Sequence, residues 1–339
     1  MKKAQDMRLV SFTRSAFSFF SHLSLGLVCL MIHGLAQAQV IYPNKSIRIL
    51  VPFTPGGVSD ASARLVAEHL TQLLGQQVVV ENKPGASGNI SGQFLAQAAP
   101  DGYTIMLAYN GQMTINPFIF ANMPFDTVKD LAPIGKIGDY PSVLTINPAV
   151  DAKTIKELIQ LSKNSPAGLM YGTSGPGSVE HVITSLFIQR TGAQLTHVPY
   201  KGAGVALADA VAGHIPLAMT SVAGGSPLIK AGKLRALAVS SAQRSSALPD
   251  VPTFIESGLE SFVMNSWIGL VAPGQTPVPV IHRLNKELNL ALAMKSLQER
   301  LNELGINVAP GSPEDFRQEI QSDLRINGPI IKAAAIRAN

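Results

Sequence analysis

Residues 51–65, VPFTPGGVSDASARL, contain the pattern that decides the fold class. The apolar run SIRILVPF (46–53) is typical of a buried strand, and a helical pattern begins just after Gly57. Ser59 stands where a helix N-cap is expected, and Gly75 ends the helical pattern. A strand, a glycine turn and a helix N-terminus in this order predict an anion-binding turn, because free N–H groups and the helix dipole attract negative charge.

The alternation of strand and helix continues along the chain. Further strands are predicted at residues 77–82, 104–108, 143–147, 169–172, 195–200, 215–221, 234–240 and 265–273. Further helices are predicted at residues 89–98, 154–163, 179–191, 205–212, 278–304 and 313–325. This order predicts an α/β fold with helices on both faces of mostly parallel sheets.

The chain contains two series of alternating strands and helices, and these predict two lobes with a cleft between them. The chain is expected to cross between lobes near Gly138–Ser142 and again near Met264–Trp267. Lobe 1 would then comprise residues 39–140 and 266–339, and lobe 2 residues 141–265. The return of the last strand to the first sheet is an inference from the order of elements.

The charge distribution argues against a nucleic-acid partner. The 339 residues carry a formal net charge of +5, of which residues 1–38 supply +3. The remaining chain is nearly balanced and has no run of basic residues with interleaved aromatic residues, which nucleic-acid binding usually shows.

The N-terminal segment has the features of an export signal. Basic residues precede the apolar run LSLGLVCLMI (23–32), and Ala36-Gln37-Ala38 follows it, so cleavage is expected after Ala38. The alternative is an uncleaved membrane anchor, although the run is short for a span. Cys29, the only cysteine, lies in this run. The mature chain is therefore expected to be periplasmic and to have no disulfide, zinc thiolate or catalytic thiol.

Three glycine-rich turns precede predicted helices. They are Gly56-Gly57 before Ser59, Pro84 to Gly88 before Asn89, and Gly175-Pro176-Gly177 before Ser178. Neither a P-loop nor a dinucleotide-binding fingerprint is present. The turns therefore indicate either a carboxylate-type anion held by N–H and hydroxyl donors, or glycines that only allow tight turns.

An exported hydrolase is the alternative from another functional class. Ser178, His181 and Asp209 are residue types of a catalytic triad, but Ser178 lies in GPGSVEH and not in GxSxG. No HExxH motif occurs and the histidines are scattered, so neither a metal nor a cofactor is expected.

Several charged and aromatic residues allow two interpretations. Asp60 and Arg64 are spaced for an ion pair within one helix, or Asp60 contacts a ligand hydroxyl or amine while Arg64 holds it. Lys201 either neutralises ligand charge or is a solvated turn lysine. Trp267 belongs either to the core or to a cleft wall.

Taken together, seven motifs in this order resemble the periplasmic solute receptors of tripartite tricarboxylate transporters, the Bug-type receptors. The motifs are VPFTPGGVSDASAR, VENKPGASGNI, PDGYTIMLA, YGTSGPGSVEH, HVPYKGAG, LPDVPTFIESG and WIGLVAPGQTP. The resemblance covers about residues 42–329 and implies a two-lobed, type II-like periplasmic binding protein. Such a protein is expected to be a monomer that closes on a small carboxylate and presents it to a membrane permease or a sensor.

The resemblance also implies a set of ligand-binding residues from both lobes. From the first lobe these are Phe53, Thr54, Pro55, Gly56, Gly57, Ser59, Asp60, Tyr109 and Asn110. From the second lobe they are Thr173, Ser174, Gly177, Ser178, His181, Tyr200, Lys201 and Gly202. Two departures from the family pattern stand out. Tyr109-Asn110 replaces a hydroxyl-bearing loop, and Thr220, Ser221 and a Gly224-Gly225 turn replace an acidic residue after the strand at 215–221.

Overall fold

The computed structural model describes residues 42–56, 58–200 and 202–338. The predicted signal segment, residues 1–38, lies outside the described residues, as do Gly57 and Lys201. All the strands and helices below belong to one unit that begins at Lys45.

The first sheet has six strands. They are β1 (Ile47–Val51), β2 (Val78–Asn82), β3 (Thr104–Tyr109), β4 (Leu131–Tyr140), β10 (Ser266–Pro273) and β11 (Asn307–Val308). Their spatial order is β11-β4-β10-β3-β1-β2. Strand β1 pairs in parallel with β2 and β3, whereas β10 runs antiparallel to both β3 and β4. The sheet is therefore mixed, and the first glycine turn follows β1 in its parallel half.

The second sheet has five strands. They are β5 (Ser142–Ile146), β6 (Leu169–Thr173), β7 (Leu195–Pro199), β8 (Leu217–Ser221) and β9 (Arg235–Val239). Their order is β7-β6-β8-β5-β9, with β5 antiparallel to both of its neighbours and the pairs β6–β7 and β6–β8 parallel.

Helices cover both sheets. They are α1 (Val58–Leu74), α2 (Asn89–Ala96), α3 (Asn116–Ile119), α4 (Ile155–Asn164), α5 (Val179–Thr191), α6 (Ala203–Ala212), α7 (Val222–Lys230), α8 (Val278–Leu292), α9 (Lys295–Glu303) and α10 (Pro313–Ala333). Local capping fixes several of their starts. Thr154, Ser178, Ser221 and Ser312 each accept a hydrogen bond from a backbone N–H three residues later. None of the helices that the structure describes is both long and apolar enough for a membrane span.

Sheet membership changes at two points in the chain. Strand β4 ends at Tyr140 and β5 begins at Ser142, so the chain passes to the second sheet at Pro141. It leaves the second sheet after β9 and enters the first again at Ser266. Both points lie within the segments where the sequence predicts crossings.

Apolar cores underlie both sheets, and α10 contributes to one core on each. The first core includes Leu50, Met106 and Val271 together with Phe316 from the first turn of α10. The second core contains Ile331 from the last turns of the same helix. One long helix is therefore anchored in both lobes.

The structure corrects four expectations for secondary structure. Ser59 lies inside α1 and is not its N-cap. Gly224 and Gly225 belong to helix α7 and do not form a turn. The helix predicted at 278–304 is divided by Ala293-Met294 into α8 and α9. The helix predicted to end at Arg325 continues to Ala333.

Strand β4 is absent from the sequence prediction. Pro133, Gly135 and Gly138 interrupt its apolar pattern. The structure explains Gly138, because a Cβ atom there would collide with the backbone carbonyl oxygen of Asn307 in the neighbouring strand β11. Close approach between strands, which glycine permits, therefore hides this strand from a pattern search.

Candidate functional site

The first glycine turn is closed by Asp60. Its Oδ2 accepts from the N–H of Gly56 at 3.0 Å and from Nε of Arg64 at 3.1 Å. Its Oδ1 accepts from Nδ2 of Asn82 at 2.9 Å, and the same amide nitrogen donates to the carbonyl of Phe53. Burial alone would raise the pKa of Asp60, but the hydrogen bonds from Arg64, Asn82 and Gly56 lower it below its usual value.

This geometry favours one of the two interpretations of Asp60. The side chain is 6% exposed and forms an ion pair with Arg64 inside the helix. Its carboxylate therefore organises the turn after β1, and contact between Asp60 and a ligand stays a prediction.

The second glycine turn is a left-handed segment tied to the first lobe. Ala86 and Ser87 have φ values of 46° and 50°, which non-glycine residues adopt only where neighbouring contacts hold them. The carbonyl of Ser87 accepts from Oη of Tyr109 at 2.9 Å and from Nδ2 of Asn116 at 2.7 Å. These bonds hold Ser87, Tyr109 and Asn116 next to one another in the first lobe.

The third glycine turn leads into α5 in the second lobe. Ser178 caps the helix by accepting from the N–H of His181 at 3.2 Å. The His181 ring accepts in turn, through Nδ1, from the N–H of Gly177 at 3.2 Å. The His181 ring therefore fixes the backbone of the third glycine turn at Gly177.

A second histidine supports the first. The rings of His181 and His197 stack with centroids 3.8 Å apart, and Nε2 of His197 lies 2.7 Å from Oγ1 of Thr173. Burial, with a smaller contribution from the neighbouring ring, lowers the pKa of His181 to about 4, and burial lowers the pKa of His197. Both rings are therefore neutral at pH 7.

Residues of the second and third turns, with Phe53 just before the first turn, line a cavity of about 340 Å³, here called the interlobe cleft. The first lobe lines it with Phe53, Ser87, Tyr109, Gly111 and Asn116, the crossing strands add Tyr140 and Ser266, and the second lobe adds residues 174–180. The rings of Phe53 and Tyr109 pack at 4.8 Å. Burial raises the pKa of the Tyr109 and Tyr140 hydroxyls, so both stay protonated at neutral pH.

The predicted ligand residues divide into three groups. Those that line the interlobe cleft are Phe53, Tyr109, Ser174, Gly177 and Ser178. Those in the surrounding turns and supporting contacts are Thr54, Pro55, Gly56, Ser59, Asp60, Thr173, His181, Tyr200 and Gly202. Asn110 borders a different cavity, and Gly57 and Lys201 lie outside the described residues.

Sequence reasoning missed Glu180 and Tyr140 as cleft residues. Glu180 lies within the motif GPGSVEH, between the predicted residues Ser178 and His181. Its position in this motif could therefore have identified it as a site residue. Tyr140 is the last residue of the unpredicted strand β4 and immediately precedes the crossing at Pro141. No pattern in the sequence distinguishes it.

Glu180 is the titratable carboxylate in the lining of this cleft. Its Oε2 accepts from Oγ of Ser174 at 3.1 Å. Burial raises the pKa of Glu180, against hydrogen bonds from its own backbone N–H and from the hydroxyls of Ser174 and Ser178. The described residues that line the cleft include no lysine, arginine or histidine.

The contacts of Ser178, His181 and Asp209 do not support the hydrolase alternative. Ser178 receives the backbone N–H of His181, and the His181 ring is engaged with Gly177 and with the second histidine. Asp209 accepts from Oη of Tyr200 at 2.7 Å and pairs with His214. The three residues therefore do not form a proton relay. In the described ranges, no group of three or more His, Cys, Asp or Glu side chains is placed to hold a metal ion.

A second cavity, of about 220 Å³, also borders the crossing strands and is here called the crossover cavity. Its lining residues are Asn110, Ile115, Lys136, Asp139, Val179, Val263, Met264, Asn265, Trp267, Glu319, Asp323, Ile326 and Asn327. Trp267 is 1% exposed, belongs to the first core and donates from Nε1 to Asp323 at 2.7 Å, so the core interpretation of this residue is correct.

Charge in the crossover cavity is concentrated around one lysine. Nζ of Lys136 lies 2.7 Å from Oδ1 of Asp139 and 2.7 Å from Oε1 of Glu319. Burial raises the pKa of Asp323 to about 6, with Glu319 also raising it and the Trp267 hydrogen bond opposing. This site contains three carboxylates and one ammonium group.

Known proteins are similar to this chain in sequence and in fold. Residues 62–336 match the family described as the tripartite tricarboxylate transporter family receptor. Protein BugT of Bordetella pertussis is 35% identical over 285 residues, covering 84% of this chain and 87% of BugT. The solved periplasmic binding protein BugD is 32% identical, with a TM-score of 0.73 over 88% of this chain and 100% of BugD. An R. palustris protein solved with adipate, Rpa4515, is 32% identical, with a TM-score of 0.76 over 87% of this chain and 99% of that protein.

Proposed function

This chain belongs to the tripartite tricarboxylate transporter family of receptors, and from that premise we propose that it captures a small organic carboxylate in the interlobe cleft and delivers it to a membrane permease. The family consists of solute-binding receptors and not of enzymes, and the chain has the two-lobed α/β fold of the periplasmic binding proteins. In this proposal the N-terminal 38 residues direct export, and the receptor works in the periplasm.

The observation that carries the proposal is the composition of the cleft. Its lining combines hydroxyl groups and glycine-rich backbone from two lobes, and the described part of it has no cation. Neutral N–H and O–H donors bind a carboxylate without a buried countercharge, which would cost several kcal/mol if left unpaired. The relative solved with adipate shows that a chain of this fold can hold a dicarboxylate.

The first turn of α1 supports the same proposal. Helix α1 begins at Val58, and the first N–H groups of an α-helix have no partner within the helix. The Asp60 carboxylate at this helix end is turned toward Gly56 and Asn82, and its charge is offset by the ion pair with Arg64. We assign this turn and the turn before α5 as the two gripping elements, with residues 39–140 and 266–339 as one lobe and 141–265 as the other.

The direct test is thermal melting of protein that has been unfolded and refolded to remove ligand. A panel of mono-, di- and tricarboxylates, aromatic acids and acidic amino acids is added one at a time. A ligand that binds only the folded chain raises the melting midpoint, by an amount that grows with its concentration over Kd. A selective rise is expected, and no rise with any acid would contradict the proposal.

A matched pair of variants places the site. Ser174→Leu puts an apolar side chain into the cleft lining and is expected to abolish the ligand-induced rise. Ser226→Leu adds the same side chain on α7, outside the cleft, and is expected to retain it. Uptake of the bound acid, labelled, in cells with and without this chain tests the delivery step.

A further inference from the structure

We propose that Glu180 makes the interlobe cleft select carboxylates that carry a hydrogen-bond donor, an amine or a hydroxyl, beside the carboxylate. This inference rests on the proposed function and adds the feature of the ligand that the second lobe recognises. It is built on the position, partners and charge environment of one side chain.

The position of Glu180 is fixed by its own turn. It lies in the first turn of α5, half-buried, and its carboxylate lines the cleft with Ser174 and Ser178. Ser174 donates to Oε2 at 3.1 Å, and the Glu180 backbone N–H and the Ser178 hydroxyl also bond to this carboxylate. A carboxylate has about four acceptor positions, so these three donors leave room for one from a ligand.

The opposite wall supplies no counterpart. Tyr109 Oη donates to the carbonyl of Ser87, and the Asn116 amide nitrogen donates to that carbonyl and to Oδ1 of Asn89. Along residues 42–56, 58–200 and 202–338, no cation forms an ion pair with Glu180. The Tyr109 and Asn116 groups are therefore committed to their own wall, whereas Tyr140 lies near enough to Glu180 for its carboxylate to raise the pKa of the tyrosine hydroxyl.

The charge balance then defines the ligand. A plain dicarboxylate would add negative charge next to Glu180 in a cleft that excludes water when closed, and like charges at short range repel. An ammonium or hydroxyl group placed at Glu180 replaces this repulsion with a charge-assisted hydrogen bond. Burial raises the pKa of Glu180, and a donor from the ligand would oppose this rise because it stabilises the ionised form.

The test compares acids that differ only at carbon 2. Succinate, malate and aspartate share four carbons and carry a hydrogen, a hydroxyl and an ammonium group at that carbon; glutarate, 2-hydroxyglutarate and glutamate form the matched five-carbon series. Calorimetric titration gives a Kd for each acid with the wild type, Glu180→Gln, Glu180→Asp and Lys201→Gln. Lys201 is included because it follows Tyr200 in the turn whose Gly202 N–H donates to the carbonyl of Ser174.

The wild type is expected to bind the substituted acid of one series about 10-fold or more tightly than the unsubstituted one, the size of one hydrogen bond to a charged group. In Glu180→Gln the ratio is expected to fall to within about 3-fold, with Glu180→Asp between the two. Because the readout is a ratio within one protein, a general loss of stability does not change it. A preference for malate identifies a hydroxyl, and one for aspartate an ammonium group.

Several outcomes would overturn the inference and leave the receptor proposal standing. One is equal affinity of the wild type for substituted and unsubstituted acids, which needs no variant. Another is an unchanged ratio in Glu180→Gln, as expected if the carboxylate only stabilises the turn. A third is loss of the preference in Lys201→Gln but not in Glu180→Gln. Binding of no acid in either the panel or these series would instead contradict the proposed function itself.

Discussion

The interlobe cleft and the crossover cavity border the same two strands but hold charge in opposite ways. Tyr140 and Ser266 line the cleft, whereas their chain neighbours Asp139, Asn265 and Trp267 line the crossover cavity. Because successive side chains of a strand point to opposite faces, the two sites lie on opposite faces of the crossing strands.

The difference lies in how each site satisfies its carboxylates. In the crossover cavity, Lys136 pairs with Asp139 and Glu319 inside the protein. In the cleft, Glu180 has hydroxyl and backbone partners but no described cation. In the crossover cavity the chain itself supplies a cation for two carboxylates, whereas in the proposal above the partner of Glu180 comes from the ligand. Three predictions test this contrast.

The largest effect is expected from Lys136→Met. The lysine side chain is 14% exposed, and its removal leaves two close carboxylates without a partner. The free energy of unfolding should fall by about 3 kcal/mol at pH 8, as for other buried pairs broken on one side. Urea unfolding of ligand-free protein measures it.

The control for this variant is Lys295→Met. Lys295 forms an exposed pair with Glu299, with side chains 88% and 61% exposed, so a loss below about 0.5 kcal/mol is expected. Equal losses in both variants would mean that the crossover cavity is not an internally paired site, and the contrast would fail.

An intermediate effect is expected from the histidines behind the cleft. The folded pKa of His181 is about 4, below the usual value near 6.5, so the unfolded chain binds more protons between these pH values. Stability should therefore fall as the pH drops from 6.5 to 4, by about 2 kcal/mol after allowance for partial exposure.

His181→Gln is the variant that isolates this effect. Glutamine retains an acceptor for the Gly177 N–H but has no proton to gain, so the acid-dependent loss of stability should shrink. The exposed residue His282 provides the control, His282→Gln, which should keep the wild-type profile. Identical profiles for all three proteins would show that the second-lobe wall is not kept neutral by these rings.

The smallest effect is expected from Asp323→Asn. The folded pKa of Asp323 is raised to about 6, so its contribution to stability is fully present below its unfolded pKa near 3.9 and is lost as pH rises through 6. Asparagine retains an acceptor for Nε1 of Trp267 and removes the charge. The variant should be about 1 kcal/mol more stable than wild type at pH 8, relative to their difference at pH 4. A variant that loses stability at pH 8 would show that the third carboxylate is needed in its ionised form.

The sequence predicts the fold more completely than it predicts the site. The alternation of apolar strands and glycine-ended helices predicts the two-lobed α/β class, which the solved relatives confirm. Strand β4 was not predicted because its glycines meet tertiary requirements: Gly135 lies against side chains of helix α8, and Gly138 lies against the backbone of strand β11. Helix α7 was not predicted because Gly224 and Gly225 have low helix propensity. The Ser221 cap and packing against Val143 stabilise it.

Site residues are harder to predict because their roles depend on partners far away in the chain. Asp60 and Ser59 lie at the predicted turn, but Asp60 is engaged by Asn82 and Ser59 does not cap its helix. Glu180 is adjacent to predicted ligand residues, yet only the cleft shows that it lacks a described cation. Local motifs identify the turns, and long-range contacts decide which atoms remain free.

The helix anchored in both cores also has a mechanical consequence. Phe316 packs in the first core and Ile331 in the second, and Pro329 lies between these anchors. Proline has no N–H to donate to the carbonyl of Arg325, so the helix is least stiff near Gly328-Pro329. Any change in the angle between the lobes must bend α10 there or withdraw its last turns from the second core. Residues outside the cleft lining would thus set the energy of any such bending.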